Sequence, residues 1–169
     1  MVNPWSVALA IALVVLALGG MTWSWRRRRS RQQHLRLPVG ALTGAERAGA
    51  SGTYLATTFA DRPLDRVVAG GLGFRAAARL VVLDDGVRVE RAGGEDIAIP
   101  ARSLRGAGSG SWALDRGVER EGLLVVGWDL ADAAGAPVPV DSAFRLDPAG
   151  QAAVTAALLD LVPAPGGAR

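Results

Sequence analysis

His34 is the one imidazole that this chain can bring to catalysis, and the chain has neither cysteine nor lysine. A Ser-His-Asp or Cys-His arrangement would have to run through that residue, which stands between Gln32-Gln33 and Pro38 without an expected pocket around it. A zinc site in its usual form needs more Cys and His ligands than are present. Without lysine there is no Walker lysine and no Schiff base. Two glycine-rich stretches, Gly70-Gly71-Leu72-Gly73 and Gly106-Ala107-Gly108-Ser109-Gly110, are candidates for a phosphate cradle. Neither has the G-x-G-x-x-G spacing at a strand-to-helix junction, so both read as punctuation between strands. Asp84-Asp85 with Glu95 suggests a calcium loop, but Arg88 and Val89 stand where an oxygen ligand and a glycine belong. The carboxylate pairs Glu95–Asp96, Glu119–Glu121 and Asp129–Asp132 read as solvated turn residues, since charged side chains are mostly exposed. The expectation is therefore a chain with no catalytic residue, no cofactor, no metal site and no enzymatic activity.

The elements that hold these residues begin with an apolar run. No charged side chain occurs before Arg26, and residues 7–18 are almost wholly aliphatic. In lipid a backbone must satisfy its own hydrogen bonds, so such a run is expected to span as a helix. Trp5 to Trp23 covers roughly 27 Å at ~1.5 Å per residue, close to the ~30 Å hydrocarbon core. Trp5 at one end, and Trp23 and Trp25 at the other, read as membrane-interface residues. A cleaved signal peptide would want its positive charge before the run, and here the arginines follow it. Arg26, Arg27, Arg28, Arg29, Arg31 and Arg36 fix topology or meet anionic head groups. Arginine-rich flanks stay inside, so the N-terminus is expected outside the plasma membrane and the remainder in the cytoplasm.

Charge is divided along the chain. Residues 1–51 hold seven Arg against one Glu, a net +6, while residues 52–169 hold twelve Arg against fifteen Asp or Glu, a net −3. The basic character belongs to the juxtamembrane segment, and the rest is a poor candidate for nucleic acid. The expected division is an anchor at 1–25, a basic linker at 26–51, one domain at 52–162 and a tail at 163–169. Within the linker, Thr43 and Glu46 have the spacing of a capping box, which predicts a short helix over 41–48.

From Gly52 the pattern becomes one of short strands. Strands are predicted at 52–59, 79–83, 87–90, 96–99, 104–114, 122–128 and 140–146. The second and third form a hairpin in which Asp85-Gly86 supplies the turn's unusual backbone angles. Trp112 and Trp128 are expected in or at the rim of the core. Asp147-Pro148 then opens a helix with Val154, Leu158 and Leu161 on one stripe. About seven antiparallel strands in two packed sheets, plugged by one C-terminal amphipathic helix, is the architecture of the pleckstrin-homology (PH) barrel.

The ordered set resembles a group of small actinobacterial membrane proteins with one N-terminal span and a bacterial PH-like domain. The residues that carry it are the arginine-flanked span, Gly52-Thr53-Tyr54-Leu55-Ala56-Thr57-Thr58, Leu64-Asp65-Arg66-Val67-Val68-Ala69 and Gly71-Leu72-Gly73-Phe74-Arg75. Asp84-Asp85-Gly86-Val87, Ile99-Pro100-Ala101 and Glu121-Gly122-Leu123-Leu124-Val125-Val126 complete it. The resemblance implies a PH-like fold and membrane residence. Members are sometimes labelled transporters, but alternating access needs several helices around a midplane site, and one span cannot supply them. The expected role is docking of a protein partner at the membrane. The alternative is sensing of anionic lipid through the juxtamembrane arginines and a local patch that includes Arg75, Arg79, Arg102 and Arg105.

Overall fold

A computed structural model describes residues 4–31, 35–37, 41–109 and 122–163, and in the first helix it describes the side chains of 5, 7, 9 and 11–23. The chain separates into two units, residues 1–33 and 34–169. The first unit is built on α1, Pro4–Arg31. Its described large apolar side chains, from Trp5 to Trp23, are all exposed, between 46 % and 81 %. Thr22 returns its hydroxyl to the carbonyls of Leu18 and Gly19 at 2.9 Å, which keeps that polar group on the helix's own backbone. Among the described residues no helix is long and apolar enough to cross a membrane.

The second unit is organised around one long strand. Short β1 (Leu35–Arg36) is followed by β2 (Glu46–Phe59), β3 (Arg62–Arg66), β4 (Ala76–Leu83), β5 (Gly86–Arg91), β6 (Ile97–Pro100), β7 (Leu104–Ser109), β8 (Leu124–Asp132) and β9 (Pro137–Leu146), then α2 (Pro148–Leu161). The N-terminal half of β2 pairs with β4 and its C-terminal half with β9, so the strand belongs to both halves of the sheet. At Gly52 the two partners coincide, opposite Ala78 on one side and Leu146 on the other. A Cβ there would collide with the Arg145 carbonyl, so only glycine fits the crossing. All pairings are antiparallel, in the order β1-β8-β9-β2-β4-β5-β6, with β7 on β8 and β3 on β2. β6 and β7 sit at opposite ends of that order, yet a single 3-10 turn over 101–103 joins them. The covalent link draws the two edges together and closes the sheet over its core.

A bulge in β2 sets which residues enter that core. The register against β9 shifts between Tyr54 and Ala56. Before it Ala48, Ala50 and Tyr54 face inward; after it the inward set is Thr57 and Phe59. One extra residue flips the strand's period, as a bulge must. Tyr54 packs edge-on to Phe144 at 5.5 Å, and Trp128 is fully buried beside them. α2 covers the core with Val154 and Leu158, both fully buried, while Leu161 is partly buried. Each fully buried aliphatic side chain contributes about 1.5–3 kcal/mol.

Several expectations are corrected. Among the described residues the strands form one nine-stranded assembly that shares β2, rather than two separate sheets of about seven strands. The segment over 41–48 is not a helix: Thr43 gives its backbone N–H to Asp85, and Glu46 begins β2 and reaches Arg79. Gly86 is not the unusual turn residue; it lies in β5 opposite Leu83, and Asp84-Asp85 make the turn without a left-handed angle. Gly86 is small because the Ile99 carbonyl and the Leu42 side chain lie against it. Asp147 does precede α2, but its side chain makes no cap; its backbone carbonyl accepts from Gly150 and Gln151. Strand residues 110–114 and Trp112 lie outside the described residues.

Candidate functional site

The chain enters the domain at one end of the barrel. Leu35 is buried in the core and pairs with Asp132 at the end of β8. Leu37 lies over Gly70, whose Cβ would overlap it and whose φ of 55° is in the left-handed region. At this same end the β2–β3 turn meets β9, Ala60 donating to the Pro139 carbonyl at 3.0 Å. Asp132 closes the β8–β9 turn by accepting from the N–H groups of Ala134 and Ala136. The chain next appears against the β4–β5 turn, where Thr43 bonds Asp85 at 2.8 Å and Asp84 donates to the Ala45 carbonyl at 3.1 Å. Leu35, Leu37 and Thr43, in the stretch read as a linker, are thus each held against the domain.

The loop from β3 to β4 is pinned as firmly. Val67 and Leu72 are fully buried. The Leu72 carbonyl accepts from Thr57 N–H at 2.8 Å and from the Tyr54 hydroxyl at 2.6 Å. Arg91 donates to the carbonyls of Gly70 and Gly71, both at 3.1 Å, and to Glu95, while its guanidinium lies 5.8 Å from the Tyr54 ring. Arg66 reaches the Gly73 carbonyl at 3.4 Å. The glycine cluster therefore turns its carbonyls to protein donors, and the N–H groups of Leu72 and Phe74 return within the loop. That is the reverse of a phosphate cradle, which presents free N–H groups. Gly106 and Gly108 sit in β7 paired with β8.

Under the loop runs a buried hydrogen-bond chain. Trp128 Nε1 meets Ser142 Oγ at 2.9 Å, Ser142 meets Thr57 at 2.6 Å, and Thr57 meets the Tyr54 hydroxyl at 2.6 Å. The direction is forced. Indole N–H only donates and the Leu72 carbonyl only accepts, so every hydroxyl passes its hydrogen the same way, from Trp128 to Leu72. Each buried polar group is satisfied, as low-dielectric surroundings require. Burial pushes the Tyr54 phenol up to about 12, its bond to Thr57 and the Arg91 charge offsetting part of this. The chain is a structural brace for the loop, not a proton path, because it ends on a carbonyl.

Two features of this end face outward. Of the three large apolar side chains that the described part of the domain leaves exposed, Leu64 (95 %) lies in β3 and Phe74 (62 %) in the loop that follows it; the third is Leu159. Arg62, Arg66 and Arg75 are exposed around them. Arg62 lies over the Phe59 ring at 4.8 Å and against Asp61 and Asp65 at 3.3 and 3.6 Å.

Elsewhere the domain's charges are largely matched. Arg79 is held by Glu46 at 2.6 Å and nears Glu90 at 3.9 Å, Arg88 meets Glu90 at 3.2 Å, and Arg105 meets Asp129 at 3.7 Å. Arg47 bonds Asp84 at 2.6 Å and holds its carboxyl below the usual range. Asp141 is pushed up by burial, with nearby Arg105 offsetting part. A shallow groove of about 460 Å³ crosses β2, β4 and β5 over Ser51, Gly52 and Ala77, between Arg79, Glu90 and Asp96. Ser51 is the hydroxyl on its lining, and Glu90 there is engaged by Arg79 and Arg88. Among the described residues no group of His, Asp or Glu is placed to hold a metal.

The sequence-derived residues fall differently. Trp5 and Trp23 are exposed on α1. The side chains of Trp25, Arg26, Arg27, Arg28, Arg29, Arg31 and Arg36, together with His34, Glu119 and Glu121, lie outside those described; the Arg36 backbone pairs with Ala131. Arg79 and Arg105 stand on β4 and β7 with separate carboxylate partners, Glu46 and Asp129. Asp129 and Asp132 have separate tasks, an ion pair and a turn. Leu64, Phe74 and the Tyr54 brace were missed. A bulge cannot be read from spacing, although Leu64 between Pro63 and Asp65 was already an apolar residue among turn formers.

No curated protein matches this chain. The family described as Bacterial PH domain-like matches residues 33–159. That match covers the domain alone; the span, the actinobacterial source and the transporter label lie outside it. PH-like domains are generally non-enzymatic interaction modules for protein or lipid. The nine-stranded closed sheet, its C-terminal helix and this match agree: the chain belongs to the bacterial PH domain-like family.

Proposed function

We propose that this chain is a membrane-tethered, non-enzymatic docking module. In this reading α1 spans the plasma membrane once, with the N-terminus outside, and the PH-like domain meets a protein partner at the cytoplasmic face. The observation that carries it is α1, a 28-residue helix whose described apolar side chains are all exposed. Surface of that kind is unfavourable in water by about 25 cal/mol per Å² and needs cover. The sequence supplies only Ser6, Ala8 and Ala10 between the described positions at the start of α1, and no charge before Arg26. At ~1.5 Å per residue the helix is roughly 42 Å long, enough for the hydrocarbon core and one interface. The six arginines from Arg26 to Arg36 then set the orientation.

A second reading gives those arginines to anionic lipid, at about 1 kcal/mol per charge near the surface. The domain's own surface favours the first, because Arg47, Arg79, Arg88 and Arg105 all meet carboxylates. Capture from native membranes compares the full chain with a chain ending at Arg31. The docking reading expects a protein retained by the full chain alone. Identical retained sets would remove the domain from that role.

A further inference from the structure

We infer that the end of β8, together with the hollow over Gly70, is a strand-docking slot. Leu35-Arg36-Leu37 fills it as a releasable self-ligand, and the same segment of a second copy of this chain takes its place by exchange. The slot is built wholly within residues 34–169 and stands whether or not α1 spans a membrane. Three observations carry it. First, β1 has the form of a docked peptide. It is two residues long, and among the described residues its one strand partner is β8, with Leu35 opposite Asp132 and Arg36 opposite Ala131. β1 lies at the end of the strand order, and β8 keeps its whole register with β9 and with β7 when β1 leaves. An element held by so little pairing opens on its own, far more readily than the sheet unfolds.

Second, the slot reads side chains at alternate positions. Leu35 is buried in the core and Leu37 is partly buried against it, as residues two apart on an extended segment share a face. The Leu37 side chain fills the space where a Cβ on Gly70 would stand, and Gly70 is held at a φ of 55°. Main-chain pairing for affinity, with sockets for alternate side chains, is how a sheet edge takes an extended peptide. Third, the socket wall is preformed. Arg91 holds the carbonyls of Gly70 and Gly71, and Thr57 with Tyr54 holds that of Leu72, so the wall does not depend on Leu37. With β1 away, the slot presents an unpaired strand edge beside open core, which is a template for another strand. The identical segment of a second copy makes the same contacts, so exchange conserves them and is driven by concentration.

The absence of cysteine permits a direct test. A full-length, isotope-labelled Arg36→Cys chain is mixed with an unlabelled Ala131→Cys chain and oxidised mildly in detergent solution. A 36–131 disulfide in this mixture forms only between copies. The expected result is a 36–131 link, read by mass spectrometry, that rises with protein concentration and exceeds the 36–159 link given by a Leu159→Cys control. Adding Leu35→Ser and Leu37→Ser to the Arg36→Cys chain should abolish that excess, because the copy that offers the slot stays intact. One chain carrying both Arg36→Cys and Ala131→Cys reports the state within a copy, and should close on itself when dilute. Closure within the chain, with no excess link between copies at any concentration, makes β1 a permanent strand. A link between copies that survives the two serines is collision rather than docking. Closure that a synthetic peptide of residues 33–39 suppresses, without any link between copies, gives the slot to another protein. Each of these three results overturns the inference.

Discussion

The two helices use the same aliphatic residues and meet opposite fates. α2 buries Val154 and Leu158 completely, against a barrel that its own chain provides. α1 leaves Leu9, Ile11, Leu13, Val14, Val15, Leu16 and Leu18 more than half exposed, with apolar residues on every side. A helix with one apolar stripe is completed by a core, whereas a helix apolar all round is completed by something that surrounds it. That difference is the physical basis for reading one helix as part of the fold and the other as an anchor.

The contrast can be broken at either helix. Leu13→Arg with Leu16→Arg places two charges near the middle of α1, at a cost of about 5–7 kcal/mol on insertion scales. The expected outcome is loss of the chain from membranes with an unchanged domain melting temperature, read by fractionation and circular dichroism. Leu158→Ala should do the converse, destabilising the domain by about 2–5 kcal/mol in urea while membrane retention holds. If either substitution moved both readouts, the two helices would not be separate in role.

Smaller effects sharpen the picture of the braced loop. Tyr54 is the chain's one tyrosine, so tyrosinate absorbance reports it alone. Its folded pKa of about 12 lies above the ordinary phenol value of 10.0. The unfolded chain therefore loses its proton first. The contribution is fully present below pH 10, falls as pH rises from about 10 to 12, and is lost through the folded value. Tyrosinate should appear in the native protein well above its appearance in denaturant. Tyr54→Phe should cost about 1–3 kcal/mol, because Thr57 and the Leu72 carbonyl lose a buried partner. Glu46→Gln marks the low end: its pair with Arg79 is about two-fifths exposed on each side and is worth ~0–1 kcal/mol.

The sequence was most informative where periodicity and burial agree. The β4–β5 hairpin, the apolar β8 and the α2 stripe all show in residue spacing, and the PH-like architecture follows from their order. The start of β2 did not show, because Glu46-Arg47-Ala48-Gly49-Ala50-Ser51 is poor in strand formers and is extended only by pairing with β4. The capping-box spacing of Thr43 and Glu46 was local, and long-range bonds to Asp85 and Arg79 overrode it. The Tyr54–Thr57 pairing needs the bulge, since residues three apart on a regular strand face opposite ways. The candidate surface was hidden for the same reason. Leu64 lies in β3 and Phe74 in the loop that follows it, and that both are left exposed shows only in the fold.

Alkaline carbonate extraction of membranes tests the central claim most directly, with the full chain set beside a chain that begins after Arg31. The account predicts that the full chain stays with the lipid pellet while the shortened one, still folded, is released. Release of the full chain would show that α1 does not span, and would contradict the tether on which the proposed function stands.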